Sequence, residues 1–302
     1  MSSSTSDFDE ILNLVPRLQT RISVTELSGG LTNRNLKITT PAGNYVARIS
    51  SNKSALLSID RQSEYENSKI AASAGIGAEV YDFLPEFGLL VIGYIDGKTF
   101  GADDVGKNLK SIAESCKTLH SAAPFVSDFD MFVIQQRYQN LVKSSGFRFP
   151  KNYHNYADHI IQMKRAFAVL DESKVPCNND LLPANFINDG ERIRLIDYEY
   201  SGNNDACFEL GNIWSEAKLP RQALDDLVSA YYGGIRPEKI ARAWLFALLA
   251  KYGWTLWASI QSSISDLDFD FWSWGAEKYE DAQKSFTSRE FEKALFEVTR
   301  KS

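Results

Sequence analysis

The sequence predicts an α+β protein in two lobes, a small antiparallel sheet followed by a larger, mostly helical body. Three observations carry that expectation. Short apolar runs separated by Gly, Pro and Asn turns fill residues 22–94. From residue 105 onward apolar residues recur instead at three- and four-residue steps, the period of a helix. The exception in the second half is Cys177–Tyr200, CNNDLLPANFINDGERIRLIDYEY, where Asn188-Asp189-Gly190 joins two apolar runs as a hairpin would. The change of period puts the boundary near residue 97, with lobes of 1–97 and 98–302.

Taken in order, Asp7–Leu18 has helical spacing through Phe8, Ile11, Leu12 and Val15, interrupted by Pro16. Strands are expected at 22–27, 35–39 and 45–49, joined by Ser28-Gly29-Gly30-Leu31-Thr32-Asn33 and by Pro41-Ala42-Gly43-Asn44. A helix at 60–74 follows, with Arg61, Glu66 and Lys69 read as its solvated face. Strands at 79–84 and 89–94 flank Pro85-Glu86-Phe87-Gly88, so the small lobe has five strands and one helix, and Ile95-Asp96-Gly97 crosses out of it. Helices are then expected at 105–120, 131–143, 153–170, 207–217, 221–232 and 237–264, with another starting near 266–274. Gly233-Gly234 is a stop signal for the fifth of these, and Pro237 opens the sixth.

Composition narrows the function classes. With 44% hydrophobic and 24% charged residues in 302, the chain is an ordinary globular protein large enough for two moderate lobes. A formal net charge of -6 and the lack of a basic stripe argue against nucleic acid as partner. Cys116, Cys177 and Cys207 are odd in number and far apart, so neither a disulfide framework nor a zinc site is indicated. The polar start Met1–Ser6 does not resemble a secretory signal, and no apolar run approaches the roughly 18 residues of a membrane span. A cytoplasmic protein without membrane insertion is expected.

The chemistry concentrates in the Cys177–Tyr200 hairpin. Folding it would bring Asn185 back beside Asp197, with Asp180 on the entering loop and Glu199 two residues on. Carboxylates gathered this closely repel one another, and a divalent cation relieves that; hard oxygen donors with one amide oxygen suit Mg²⁺, which commonly arrives with a nucleotide phosphate. The plain alternative is a surface hairpin with acidic ends. D-x-x-x-x-N followed by a strand ending in Asp is, however, the catalytic-loop and metal-loop layout of protein-kinase-like enzymes.

Two features of the small lobe agree with that layout. The paired glycines Gly29 and Gly30, with Thr32 and Asn33, sit between strands where a hairpin offers backbone N–H groups to phosphates, although a plain turn has the same composition. Arg48 lies on the third strand and Glu64 on the helix that follows, placed to pair as the strand cation and helix acid of a kinase do.

Five of the six tryptophans fall between Trp244 and Trp274. Trp254 and Trp257 share a helix face, while Phe269, Phe271, Trp272 and Trp274 cluster at the next helix start. Such residues are ordinarily core. The alternative is a box of aromatic faces around a quaternary ammonium, each ring contributing about 0.5–2 kcal/mol, with acidic Glu216 or Asp205 adding attraction. Periodicity leaves both open.

From Gly29 to Glu280 the chain resembles the choline/ethanolamine kinases, particularly the bacterial ones. The resemblance runs through Gly29–Asn33, Tyr45-Val-Ala-Arg48, the Glu64 helix, Ile76-Gly77-Ala-Glu-Val, Leu119-His120-Ser121, Asn179-Asp180 to Asn185, Ile196-Asp197-Tyr198-Glu199-Tyr200, and Trp254-Thr-Leu-Trp257 with Gln261. Aminoglycoside phosphotransferases and thiamine kinase share the kinase motifs; the Ile-Asp-Tyr-Glu-Tyr and Trp-x-x-Trp segments point to choline or ethanolamine. The resemblance implies a two-lobed protein-kinase-like fold and an ATP- and Mg²⁺-dependent kinase of a small amino alcohol. Asp180 would be the catalytic base, and Asn185, Asp197 and Glu199 the metal ligands. Gly29, Gly30, Thr32, Asn33, Arg48 and Glu64, with Gly93, Tyr94 and Asp96 at the hinge, would hold ATP. Tyr200, Glu216, Trp254, Trp257, Phe269 and Trp274 would surround the head group beside Asp180. Trp274 stands where family members often have Tyr, and Asn178 where they usually have His, a change expected to slow or alter turnover. The competing readings are a kinase of another cationic alcohol, such as thiamine or an aminoglycoside, and a trimethylammonium-binding pseudokinase.

Overall fold

The computed structural model describes residues 8–27, 30–50 and 53–300. The leading segment is two pieces rather than one helix: α1 (Asp9–Asn13), then a 3-10 turn at Pro16–Leu18. Pro16 cannot donate to the preceding turn and forces Val15 into extended backbone, which ends the first piece. Both pieces bury Leu12, Val15 and Leu18 against Leu36, Ile38 and Val91 of the sheet.

That sheet contains β1 (Ser23–Leu27), β2 (Asn33–Thr40) and β3 (Gly43–Ser50). Helix α2 (Arg61–Ser73) follows, with Asp60 as its N-cap accepting from the Gln62 and Ser63 amides. Next come β4 (Val80–Leu84) and β5 (Leu89–Gly93), joined through Gly88 at φ +61°. A Cβ at Gly88 would lie 2.8 Å from the Ser50 carbonyl oxygen, so both backbone angle and space call for glycine. The antiparallel order is β1-β2-β3-β5-β4, which puts β3 and its Arg48 in the centre. The inward face of α2 is unusually polar, with Glu64, Asn67 and Ser68 buried. Asn67 explains part of this: it donates to Ser201 Oγ at 3.0 Å and accepts from the Val126 amide at 3.0 Å, fastening α2 to the second lobe.

Beyond Gly97 the chain joins the second lobe at once, because β6 (Lys98–Thr99) pairs with Ile187 and Asn188 of the acidic hairpin. The helix expected at 105–120 starts earlier and divides into α3 (Ala102–Lys107) and α4 (Leu109–His120). Asn108 breaks it at φ −122°, its carboxamide donating to the Asp104 carbonyl at 2.7 Å in competition with the backbone ladder. Helix α5 (Met131–Ser144) is capped by Asp130. The segment expected as one helix at 153–170 begins as a 3-10 turn, Tyr153–Tyr156, before α6 (Ala157–Phe167). There Tyr153 stacks on Tyr252 at 3.9 Å and exchanges hydrogen bonds with it, so packing overrides local preference.

The hairpin forms as β8 (Phe186–Asn188) and β9 (Ile193–Leu195), preceded by β7 (Val175–Cys177) and followed by β10 (Gly202–Asn204), which pairs with β7. Helices α7 (Ala206–Glu216), α8 (Arg221–Tyr232), α9 (Pro237–Ile264), α10 (Phe271–Phe286) and α11 (Arg289–Glu297) complete the lobe, the last of them unexpected. Helix α9 is buried on nearly every face between Ile240 and Gln261, with α5, α7, α8, α10 and α11 packed around it. Its all-round apolar character is that of a core axis. Among the described residues no helix is long and apolar enough to cross a membrane.

Candidate active site

Three asparagines shape the loop after β7. Asn179 takes a left-handed φ of +67°, which turns Asp180 outward from an otherwise buried run. Its amide donates to Glu209 Oε2 at 2.7 Å, and its carboxamide spans the carbonyls of Tyr200 and Gly202. Glu209 also meets His120 Nε2 at 3.2 Å, so a fully buried acid and imidazole brace the loop from behind. Asn178 donates to the carbonyls of Ile196 and Asp197 at 3.1 and 2.8 Å and accepts from the Asp180 amide. One buried carboxamide therefore ties the loop of Asp180 to the strand end that carries Asp197. Asn185 donates to the Asp180 carbonyl at 2.7 Å, which leaves its side-chain oxygen to face the cleft.

Asp197 is itself left-handed, at φ +65°, at the end of the hairpin. Burial pushes its carboxyl up to about 6, with Arg48 opposing and Glu199 and Glu64 adding to the rise. Asp180 is raised well above the usual carboxylate range by burial, then by Asp197, Glu199 and Glu216. A cation bound between such acids would reverse those shifts. The donor set, carboxylates and one amide oxygen, fits a hard dication such as Mg²⁺.

Arg48 holds this ground from the small lobe. Its Nη1 lies 3.0 Å from Glu64, and its Nη2 lies 2.6 Å from Asp197 and 2.9 Å from Glu199, while Nε has no hydrogen-bond partner among the described residues. Arg61 departs from the expected solvated face. It turns inward to Glu64 at 2.6 Å and Glu199 at 3.2 Å, because two buried acids require more than one cation. Glu199, expected as a metal ligand beside Asn185 and Asp197, lines the same pocket and is also held by the small lobe. Thr32 Oγ1 donates to it at 2.6 Å and Asn33 Nδ2 at 2.8 Å, alongside the two arginines. Burial would raise its carboxyl; Arg48, Arg61 and the Thr32 and Asn33 hydrogen bonds outweigh that and lower it. Glu199 thus clamps the two lobes, with Thr32 on Oε1 and the other three donors on Oε2.

The acids and the rings share one void. A pocket of about 100 Å³ is lined by Asp180, Asn185, Asp197, Glu199, Tyr200, Glu216, Trp254, Trp257 and Trp274, together with Gly30 and Thr32. Trp257 Nε1 donates to Tyr200 Oη at 2.8 Å, Tyr200 meets Trp254 edge-on at 5.0 Å, and Trp257 meets Trp274 at 5.5 Å. A second cleft has Arg48, Gly93 and Tyr94 on its walls between the apolar side chains of Val46, Ile92, Ile187 and Ile196, and it shares Gly30, Asn185 and Asp197 with the first. Asn185 and Asp197 therefore line both this partly apolar cleft and the ring-lined pocket. A Cβ on Gly30 would meet the Asn33 carbonyl oxygen at 2.5 Å, so the turn into β2 has room only for glycine there.

Some expected residues lie elsewhere. Phe269 is half-exposed on the connection before α10, its ring edge-on to Phe271 and outside the pocket. Asp96 is solvent-exposed and lines neither cleft. Asp205 pairs with Arg242 at 2.5 Å and caps α7, away from the rings. Gly29 lies outside the described residues. Sequence reasoning did not find Lys278, which grips both oxygens of Glu216 at 2.6 and 2.7 Å. Its four-residue spacing from Trp274 was the available signal.

Residues 24–224 match the model of the choline/ethanolamine kinase family. The chain belongs to that family. Protein LicA of Haemophilus influenzae is 27% identical over 209 residues, which cover 67% of this chain and 61% of that protein. The chain thus matches less than two-thirds of the length of that relative. Among solved structures, a choline/ethanolamine kinase family protein from Mesorhizobium loti superposes with a TM-score of 0.85 at 27% identity, covering 98% of this chain and 99% of its own. The choline kinase LicA from Streptococcus pneumoniae gives a TM-score of 0.81 at 26% identity, covering 93% and 99%. The two-lobed kinase-like fold expected from the sequence is the fold of this chain. The tryptophans of the pocket lie beyond the matched 24–224 segment, so their place in the site rests on the geometry above.

Proposed function

We propose that this protein transfers the γ-phosphate of ATP to the hydroxyl of a small amino alcohol, choline first and ethanolamine second. The observation that carries the reading is that two neighbouring clefts share Asn185 and Asp197 in their walls. The apolar slot between Val46 and Ile196 suits a purine, and Arg48 on its wall faces where phosphates would lie. Asn185 and Asp197 are the groups that would hold Mg²⁺, which when bound neutralises phosphate charge. Tyr200, Trp254, Trp257 and Trp274 receive the ammonium group on their faces.

An alcohol so held presents its hydroxyl to Asp180. The hydroxyl oxygen attacks the γ-phosphorus, the bond to the ADP oxygen breaks, and the hydroxyl proton passes to the Asp180 carboxylate. A carboxyl whose proton affinity is raised by burial and neighbouring acids is suited to take it. Orientation supplies much of the rate, and it is built into the loop by Asn178, Asn179 and Asn185. The solved structures and sequence relatives named for choline and ethanolamine kinases support the substrate class.

The test is ADP release with Mg²⁺-ATP across choline, ethanolamine, thiamine and one aminoglycoside. Choline-dependent ADP is the expected result. Choline-dependent thermal stabilisation without ADP would identify a binder instead, and turnover of only thiamine or the aminoglycoside would move the substrate class.

A further inference from the structure

A cation of the protein's own stands behind two residues of the head-group pocket, Glu216 and Trp274. Lys278 on α10 places Nζ 2.6 and 2.7 Å from the two oxygens of Glu216 and 4.3 Å from the Trp274 ring centroid. Both side chains are almost fully buried, at 13% and 6% exposure. Glu216, one of the four acids that line the pocket, is therefore already paired. Glu199 is engaged by Thr32, Asn33, Arg48 and Arg61, Asp197 pairs with Arg48, and Tyr200 Oη accepts from Trp257. Asp180 faces the reacting hydroxyl under the proposed mechanism.

This inventory matters because the two candidate head groups make different demands. A primary ammonium carries three N–H donors and loses its hydration on entering the pocket, so each donor needs an acceptor. A trimethylammonium has no donor and needs only a fitting, polarisable wall. Removing the charge of Lys278 would leave Glu216 open to both. The primary ammonium would gain more, since it can approach the carboxylate to hydrogen-bond distance while methyl groups hold the quaternary nitrogen away.

We infer that Lys278 is a positioning residue that sets head-group selectivity: by occupying Glu216 and one side of Trp274, it makes the pocket favour a quaternary ammonium over a primary one. This rests on the kinase reading above. The experiment is kcat/KM for choline and for ethanolamine in wild type, K278M, K278R and the double variant E216Q/K278M, with thermal melts to confirm folding. K278M is expected to shift the ratio toward ethanolamine by about tenfold, mainly through KM. K278R keeps the ion pair and the wild-type ratio. The double variant removes the exposed charge and returns the ratio to within about twofold of wild type. Should K278M fail to fold, K278Q still donates to Glu216 and is expected to move the ratio the same way by about threefold or more. A folded K278M or K278Q that leaves the ratio unchanged overturns the inference alone. A wild-type protein that releases ADP with neither amine overturns the kinase reading and this inference with it.

Discussion

The two ends of the cleft solve the problem of holding charge by opposite means. At the Arg48 end, buried acids and arginines interlock: Glu64, Asp197 and Glu199 are met by Arg48 and Arg61, with hydrogen bonds absorbing what remains. At the Trp254 end the walls are largely rings, and the Glu216 carboxylate is matched by Lys278. The difference follows from what each end must release. Buried ion networks are costly to break by halves, so the first end is rigid until another charged species exchanges into it. Aromatic faces attract a cation weakly and without direction, so under the proposed function the second end would bind and release a small amine readily.

That contrast can be broken most severely at the junction. D197A removes the carboxylate that Arg48 and the proposed metal share, and kcat for ADP release should fall by about 10³-fold or more. Normal turnover at ordinary Mg²⁺ would take Asp197 out of the mechanism. N178A leaves every cleft-lining side chain in place but cuts the tie between the two loops. A kcat lower by about 10- to 100-fold with little change in either KM is expected, together with about 1–3 kcal/mol less stability in urea unfolding. An unchanged kcat would mean that the loops hold their positions without it. At the ring end the effect should be smaller and confined to binding: W254A is expected to raise the choline KM by about 3- to 30-fold while the ATP KM stays put. F269A, outside the pocket, sharpens the same comparison by altering the choline KM less than about twofold. A larger loss there would show that the connection before α10 folds over the substrate.

Much of this was legible along the chain, and the reason is locality. The hairpin from Phe186 to Leu195 closes through a short Asn-Asp-Gly turn, so spacing alone brings Asn185 toward Asp197. Helices α8 and α9 carry their own stop and start signals and end where those signals say. Where tertiary packing intervened the reading slipped, as at Tyr153, whose stacking on Tyr252 tightened a helix start. Arg61 was misread for the same reason. It lies in the first turn of a polar-looking helix, and its partner Glu199 is 138 residues away.

By itself, the sequence determined which functional groups exist and how those close together in the chain are spaced: the base loop, the amide five residues on, the acids at the strand end, the strand cation and the helix acid. Only the tertiary structure decided which of these groups face one another across long separations. It gave Glu199 to the arginines, admitted Trp274 but not Phe269 to the pocket, and set Lys278 against Glu216, 62 residues apart. Helical phase says which residues share a face, and strand alternation does the same. Neither says what that face meets, because that depends on how separate elements pack.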